Sequence, residues 1–78
     1  MAKVNFYAAA KAAAGLATLD IPAKSLGSLI DQLSAGNPEL AKLLPTCSYL
    51  LNGESCEDLE RLLTDGDSID VLPQFAGG

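Results

Sequence analysis

Leu26, Leu29, Ile30 and Leu33 fall at i, i+3, i+4 and i+7, which lays four apolar side chains along one stripe of an α-helix. A stripe of that width needs another layer to cover it. Elsewhere the apolar residues alternate instead. Val4, Phe6 and Ala8 are separated from Lys3, Asn5 and Tyr7, Ala17, Leu19 and Ile21 from Thr18 and Asp20, and Ile69 and Val71 from Ser68 and Asp70. That period of two belongs to strands with one buried face. A helix crossing between paired strands lands on one face of their sheet, so the expected fold is α+β, a small mixed sheet packed by one main helix.

Local signals divide the chain further. The first strand is expected near residues 3–8, and Ala9 to Ala14, interrupted only by Lys11, is rich in strong helix formers. Gly15 is placed to end that short helix in the left-handed region, and Pro22 stops the second strand. Ser25 can cap the long helix, which Gly36 would close. Asn37-Pro38 then starts a short helical piece, with Leu40, Leu43 and Leu44 extending the apolar face up to Pro45. Cys47 to Leu51 and Glu54 to Cys56 flank Asn52-Gly53, the dipeptide that supplies the positive φ angles of a type I′ hairpin turn. Leu59, Leu62 and Leu63 are expected to cover an edge of the core, and Asp65-Gly66-Asp67 to turn into the last strand, which ends at Pro73.

The chain of 78 residues makes one domain, expected to bury only about 60% of the surface its unfolded form exposes. A large enclosed substrate cavity does not fit that size. No apolar run approaches the roughly 20 residues of a membrane span, and the start of the chain lacks the apolar stretch of a signal peptide; the sequence reads as soluble and cytoplasmic. There is no histidine, which removes His-based triads and Cys/His zinc cages, and no metal site is expected. Cys47 and Cys56 are the only cysteines. The hairpin register places them on a diagonal of roughly 7–8 Å, too long for a relaxed disulfide, so both are expected to be reduced.

The net charge of −5 is unevenly distributed. Residues 1–53 carry Lys3, Lys11, Lys24 and Lys42 against Asp20, Asp31 and Glu39, whereas residues 54–78 carry Arg61 against Glu54, Glu57, Asp58, Glu60, Asp65, Asp67 and Asp70. Such a surface repels nucleic-acid phosphates. It suits a basic protein partner, and it also serves plain solubility.

The last strand runs into Pro73-Gln74-Phe75-Ala76-Gly77-Gly78. Glycine has no Cβ, so a Gly-Gly end can thread a narrow channel with its carboxylate leading. The division expected is a globular domain over 1–73 and a flexible tail over 74–78, and the six residues from Pro73 can extend about 20 Å. Leu72 points away from the Ile69 and Val71 face. It fits either a partner interface or a second-face core, while Phe75, beyond the strand, fits an interface anchor.

Several segments together resemble the MoaD-type sulfur carriers, the small subunits of molybdopterin synthase in the ThiS/MoaD ubiquitin-like family. They are Val4-Asn5-Phe6-Tyr7-Ala8, the helix closing in Ala14-Gly15, Leu19-Asp20-Ile21-Pro22, Leu51-Asn52-Gly53-Glu54, Leu63-Thr64-Asp65-Gly66-Asp67 and Val71-Leu72-Pro73-Gln74-Phe75-Ala76-Gly77-Gly78. The resemblance implies a β-grasp fold and a role in molybdenum cofactor biosynthesis as a carrier that is not an enzyme by itself. Gly78 would be adenylated and converted to a thiocarboxylate, Gly77 and Ala76 would thread the channel, and Phe75, Leu72 and Pro73 would meet the partner. The partners implied are a MoaE-like large subunit, within a heterotetramer, a MoeB-like adenylyltransferase using ATP and magnesium, and a persulfide sulfur donor. A carrier of thiamine or cysteine biosynthesis, a ubiquitin-like protein modifier and a binding module whose tail is never activated stay open as alternatives.

Overall fold

The structure, a computed structural model, describes residues 1–73. Five strands form one mixed sheet: β1 (Ala2–Phe6), β2 (Thr18–Ile21), β3 (Cys47–Leu51), β4 (Glu54–Ser55) and β5 (Ser68–Pro73), in the order β2-β1-β5-β3-β4. The central pair, β1 and β5, is parallel, with Val4 opposite Ile69 and Phe6 opposite Val71. The other pairings are antiparallel. The helices are α1 (Ala8–Ala14), α2 (Leu26–Gly36) and α3 (Pro38–Leu43), followed by a short 3-10 turn at Leu44–Thr46. This is the α+β, β-grasp arrangement expected, with α2 as the main helix.

One face of the sheet carries the core. Ala2, Val4, Phe6, Leu51, Ile69 and Val71 are buried there with Leu26, Leu29 and Leu33 of α2, Leu40 of α3 and Leu44. Each large aliphatic side chain taken from water contributes about 1.5–3 kcal/mol, so this layer is the main source of stability. Ile30, at the margin of the helical stripe, is half-buried.

The first strand is shorter than the alternation suggests. Ala8 has φ +52°, a left-handed conformation that ends β1 at Phe6 and turns the chain into α1, leaving Ala8 exposed. Gly15 closes α1 at φ +79°, its amide donating to the carbonyl of Lys11. Gly36 is the last residue of α2, as expected, and Asn37 follows it as the cap in extended conformation. Asn37 joins three elements: its Oδ1 accepts from the amides of Glu39 and Leu40 at 3.0 and 3.2 Å, and its Nδ2 donates to the carbonyl of Ala13 at 2.9 Å.

The start of α2 is capped from two sides. Ser25 Oγ accepts from the amide of Ser28 at 3.1 Å. The amides of Leu26 and Gly27 donate to the carbonyls of Arg61 and Leu59 at 3.0 and 2.8 Å, and the amide of Leu63 donates back to Lys24 at 2.9 Å. The segment 59–63 therefore lies as a strap across the first turn, supplying acceptors that a helix terminus otherwise lacks. Leu63 is buried as expected, but Leu59 and Leu62 are 55% and 72% exposed and do not cover the core. The strap is held by its main chain, which leaves those two side chains facing out.

Candidate functional site

Alternation along β5 sends Ile69 and Val71 into the core and Asp70 and Leu72 to the opposite face, which the described residues leave uncovered. On that face Leu72 is paired with Ser48, and Leu50 with Asp70, so Leu50 and Leu72 are diagonal neighbours on adjacent strands. Both are half-buried and lie outside the core cluster. Leu72 is thus not part of the core cluster formed by the described residues. Pro73 ends β5 opposite Cys47 and is half-buried.

Tyr7 continues the same face. Its backbone is extended, at φ −129° and ψ 150°, so the alternation of β1 carries on past Phe6 and turns the ring to the uncovered side, 46% exposed. Because β1 and β5 are parallel and Phe6 is level with Val71, Tyr7 is level with Leu72. An apolar group of Tyr7, Leu72 and Leu50 thus marks the end of the face from which the chain leaves at Pro73. Sequence reasoning assigned no role to Tyr7 or Leu50. Their strand parity, opposite to that of the core residues and shared with Leu72, is the signal that would have found them.

The middle of the face is polar. Asn5 Nδ2 donates to Ser68 Oγ at 2.9 Å and to Asp70 Oδ1 at 2.8 Å, which ties the two parallel strands through side chains. Lys3 and Asp20 lie opposite each other toward the outer edge. Such a surface, apolar at one end and polar along its length, has the character of a protein contact.

The remaining chemistry-bearing groups play structural parts. Both cysteines are free. Burial pushes the Cys47 thiol up, and its Sγ donates to the carbonyl of Leu43 at 3.4 Å, so it is not the low-pKa thiolate of a reactive cysteine. Tyr49 is pushed up to about 12 by burial and, secondarily, by the charge of Cys47, and its hydroxyl donates to Leu44 O at 2.8 Å. Among the described residues no group of His, Cys, Asp and Glu is placed to hold a metal ion, and no helix is long and apolar enough to cross a membrane. The other expected site residues, Phe75, Ala76, Gly77 and Gly78, and with them the proposed tail over 74–78, lie outside the described residues.

Comparison with known proteins agrees with this layout. The ThiS family model matches residues 4–78. The molybdopterin synthase sulfur carrier subunit of Chlamydomonas reinhardtii is 33% identical over 51 residues, which is 64% of this chain and 61% of that protein. The chain therefore spans less than two thirds of the curated relative it matches. Among solved structures, small archaeal modifier protein 1 from Methanosarcina acetivorans superposes with a TM-score of 0.88 at 26% identity, covering 99% of this chain and 95% of that one. The complex of subunits 1 and 2 of molybdopterin-converting factor from Helicobacter pylori gives 0.76 at 28% identity, covering 99% and 97%.

Proposed function

Because the chain belongs to the ThiS family, we propose that it is a sulfur carrier of molybdenum cofactor biosynthesis, loaded at Gly78. The observation that carries this reading is the route of β5, the central strand, whose outward side presents Leu72 just before the chain leaves the sheet at Pro73. The domain then serves as a handle and the carboxyl end as the reacting group.

The chemistry follows from the reactivity of a carboxylate, which is a poor electrophile. A MoeB-like adenylyltransferase, using ATP and magnesium, joins the Gly78 carboxylate to AMP and so provides a good leaving group. The outer sulfur of a persulfide donor attacks the acyl carbon and displaces AMP to give an acyl disulfide; a thiol then attacks that S–S bond, is itself oxidised to a disulfide with the donor's sulfur, and releases a thiocarboxylate whose ionised sulfur is a soft nucleophile. Held in line with the pterin precursor inside a MoaE-like large subunit, that sulfur bonds to a pterin carbon, and water then cleaves the thioester to Gly78, leaving the sulfur on the pterin and restoring the carboxylate. Tyr7, Leu72, Pro73 and Phe75 dock the carrier, Ala76 and Gly77 pass through the channel, and the assembly is a cytoplasmic heterotetramer in which this chain is not the catalyst. The complex of the two subunits of the Helicobacter pylori factor supports a large-subunit partner.

A second reading is favoured by the likeness to small archaeal modifier protein 1, namely that Gly78 is joined to lysines of other proteins. Intact-mass analysis of the protein from its own cells separates the two. A carrier shows one terminal oxygen exchanged for sulfur, and a modifier shows a peptide-bonded adduct. One residue added after Gly78 should abolish either activity; full activity of that extended chain would refute both.

A further inference from the structure

Leu59 and Leu62 are exposed on a strap that is itself firmly held. Four main-chain hydrogen bonds fix it: Leu26 and Gly27 amides to Arg61 and Leu59, Leu63 amide to Lys24, and Arg61 amide to Asp58, at 2.8 to 3.0 Å. Asp58 Oδ1 also accepts from the amide of Glu60 at 3.0 Å. Gly27 allows this close seating, since a Cβ there would stand 3.0 Å from the Leu59 carbonyl oxygen and 3.3 Å from its Cβ. Two leucines in a fixed backbone lose little freedom on binding, so the surface is organised in advance.

The surroundings define the partner. From Glu54 to Asp67 the chain carries Glu54, Glu57, Asp58, Glu60, Asp65 and Asp67 against Arg61, with Lys24 beside the strap. A second copy meeting this face through a two-fold axis would set acidic segment against acidic segment, and an anionic membrane would be repelled. The strap also lies toward the end of the sheet where β5 begins, because Leu63 leads to Thr64, whose amide donates to Asp67 Oδ2 at 2.8 Å, next to Ser68. Pro73 is at the other end of that strand, about 16 Å away at the usual strand rise.

We propose that Leu59 and Leu62 form a second docking surface, for a basic protein surface containing an apolar slot, which can be occupied while the chain beyond Pro73 is engaged elsewhere. The test is an amide chemical-shift titration of the full chain with a short helical peptide of leucines flanked by lysines, in parallel with a leucine and glutamate peptide of the same pattern. The lysine peptide is expected to shift Glu57 to Leu63 and Gly27 most, to weaken as salt is raised, and to outbind the glutamate peptide. The double variant Leu59→Ser and Leu62→Ser should bind at least ~10-fold more weakly with an unchanged melting temperature. The proposal is overturned if the shifts centre on the uncovered sheet face or the double variant binds as well as the parent. A fall in its melting temperature would equally overturn it, by assigning the leucines to the fold. Leucine-dependent dimerisation or binding to anionic vesicles would replace the basic partner with a second copy or a membrane.

Discussion

Asn52 and Asp67 are joined across the end of the sheet, Asn52 Nδ2 donating to Asp67 Oδ1 at 2.9 Å while Asn52 Oδ1 accepts from the amide of Ser68 at 2.9 Å. Asn52 also occupies the left-handed region at φ +51°, where a side chain with a Cβ is strained. Asn52→Gly keeps the turn and loses only the side-chain bonds, for an expected loss of about 1 kcal/mol. Asn52→Ala adds the backbone strain and should lose about 2 kcal/mol or more. Urea denaturation of both variants checks the order; equal losses would remove backbone strain from the account.

The same junction makes stability depend on acid. Hydrogen bonds from the Asn52 side chain and from the Thr64 amide hold the Asp67 carboxyl below its ordinary range. A carboxylate whose folded pKa is depressed stabilises fully above its unfolded value, near ~3.9, and that contribution is lost as pH falls through the lower folded value. Asp67→Asn should therefore melt below the parent at neutral pH, and the gap should close as pH falls below the unfolded carboxylate pKa, which gives the variant the shallower acid decline.

Leu72 and Val71 are adjacent and should separate binding from stability. Leu72 lies on the uncovered face and Val71 is 0% exposed. Leu72→Asp is expected to weaken binding to the proposed large-subunit partner by about 2 kcal/mol, near 30-fold, without a change in melting temperature. Val71→Ala should cost about 2 kcal/mol of stability and leave affinity unchanged once folded. Calorimetric binding and thermal melts of the two variants decide.

Tyr49 governs the alkaline side. With its pKa pushed up to about 12 by burial, the folded state keeps the phenol proton that the unfolded chain gives up near ~10. Stability is full below that unfolded value and falls as pH rises toward the folded one. Tyr49→Phe should lose this alkaline decline and, at neutral pH, about 1 kcal/mol from the missing bond to the Leu44 carbonyl. Denaturation across the alkaline range is the measurement.

Gly27 tests the strap. In an open helix Gly→Ala stabilises by up to about 1 kcal/mol, yet the new Cβ would press on the Leu59 carbonyl that Gly27 itself donates to at 2.8 Å. The crowding is expected to win, with a net loss of about 1 kcal/mol and faster hydrogen exchange at the amides of Leu26 and Gly27. A stabilised variant would show that the strap moves aside freely.

Much of this molecule was legible where one residue determines a local conformation. Gly15 and the Asn52-Gly53 pair take the positive φ angles their positions require, and Ser25 and Asn37 cap the helices that follow them. Binary patterning identified the core faces of β1, α2 and β5 because the period of each is clear. What was not legible depends on main-chain bonding between distant segments. Leu59 and Leu62 have the composition of core residues, but the carbonyls of their segment serve α2, and that need outweighs the burial of two side chains. The apolar end of the outer sheet face was half legible: Leu72 followed from alternation, whereas its proximity to Tyr7 rests on the parallel pairing of β1 with β5, which no local signal encodes.

That pairing has a mechanical consequence. β5 is bonded on both sides, to β1 and to β3, so traction applied to the chain beyond Pro73 is directed along the strand and loads both ladders together in shear, rather than unzipping one bond at a time. A strand anchored in this way resists extraction, so a pull on the chain that follows it moves the globule as a whole instead of unravelling it.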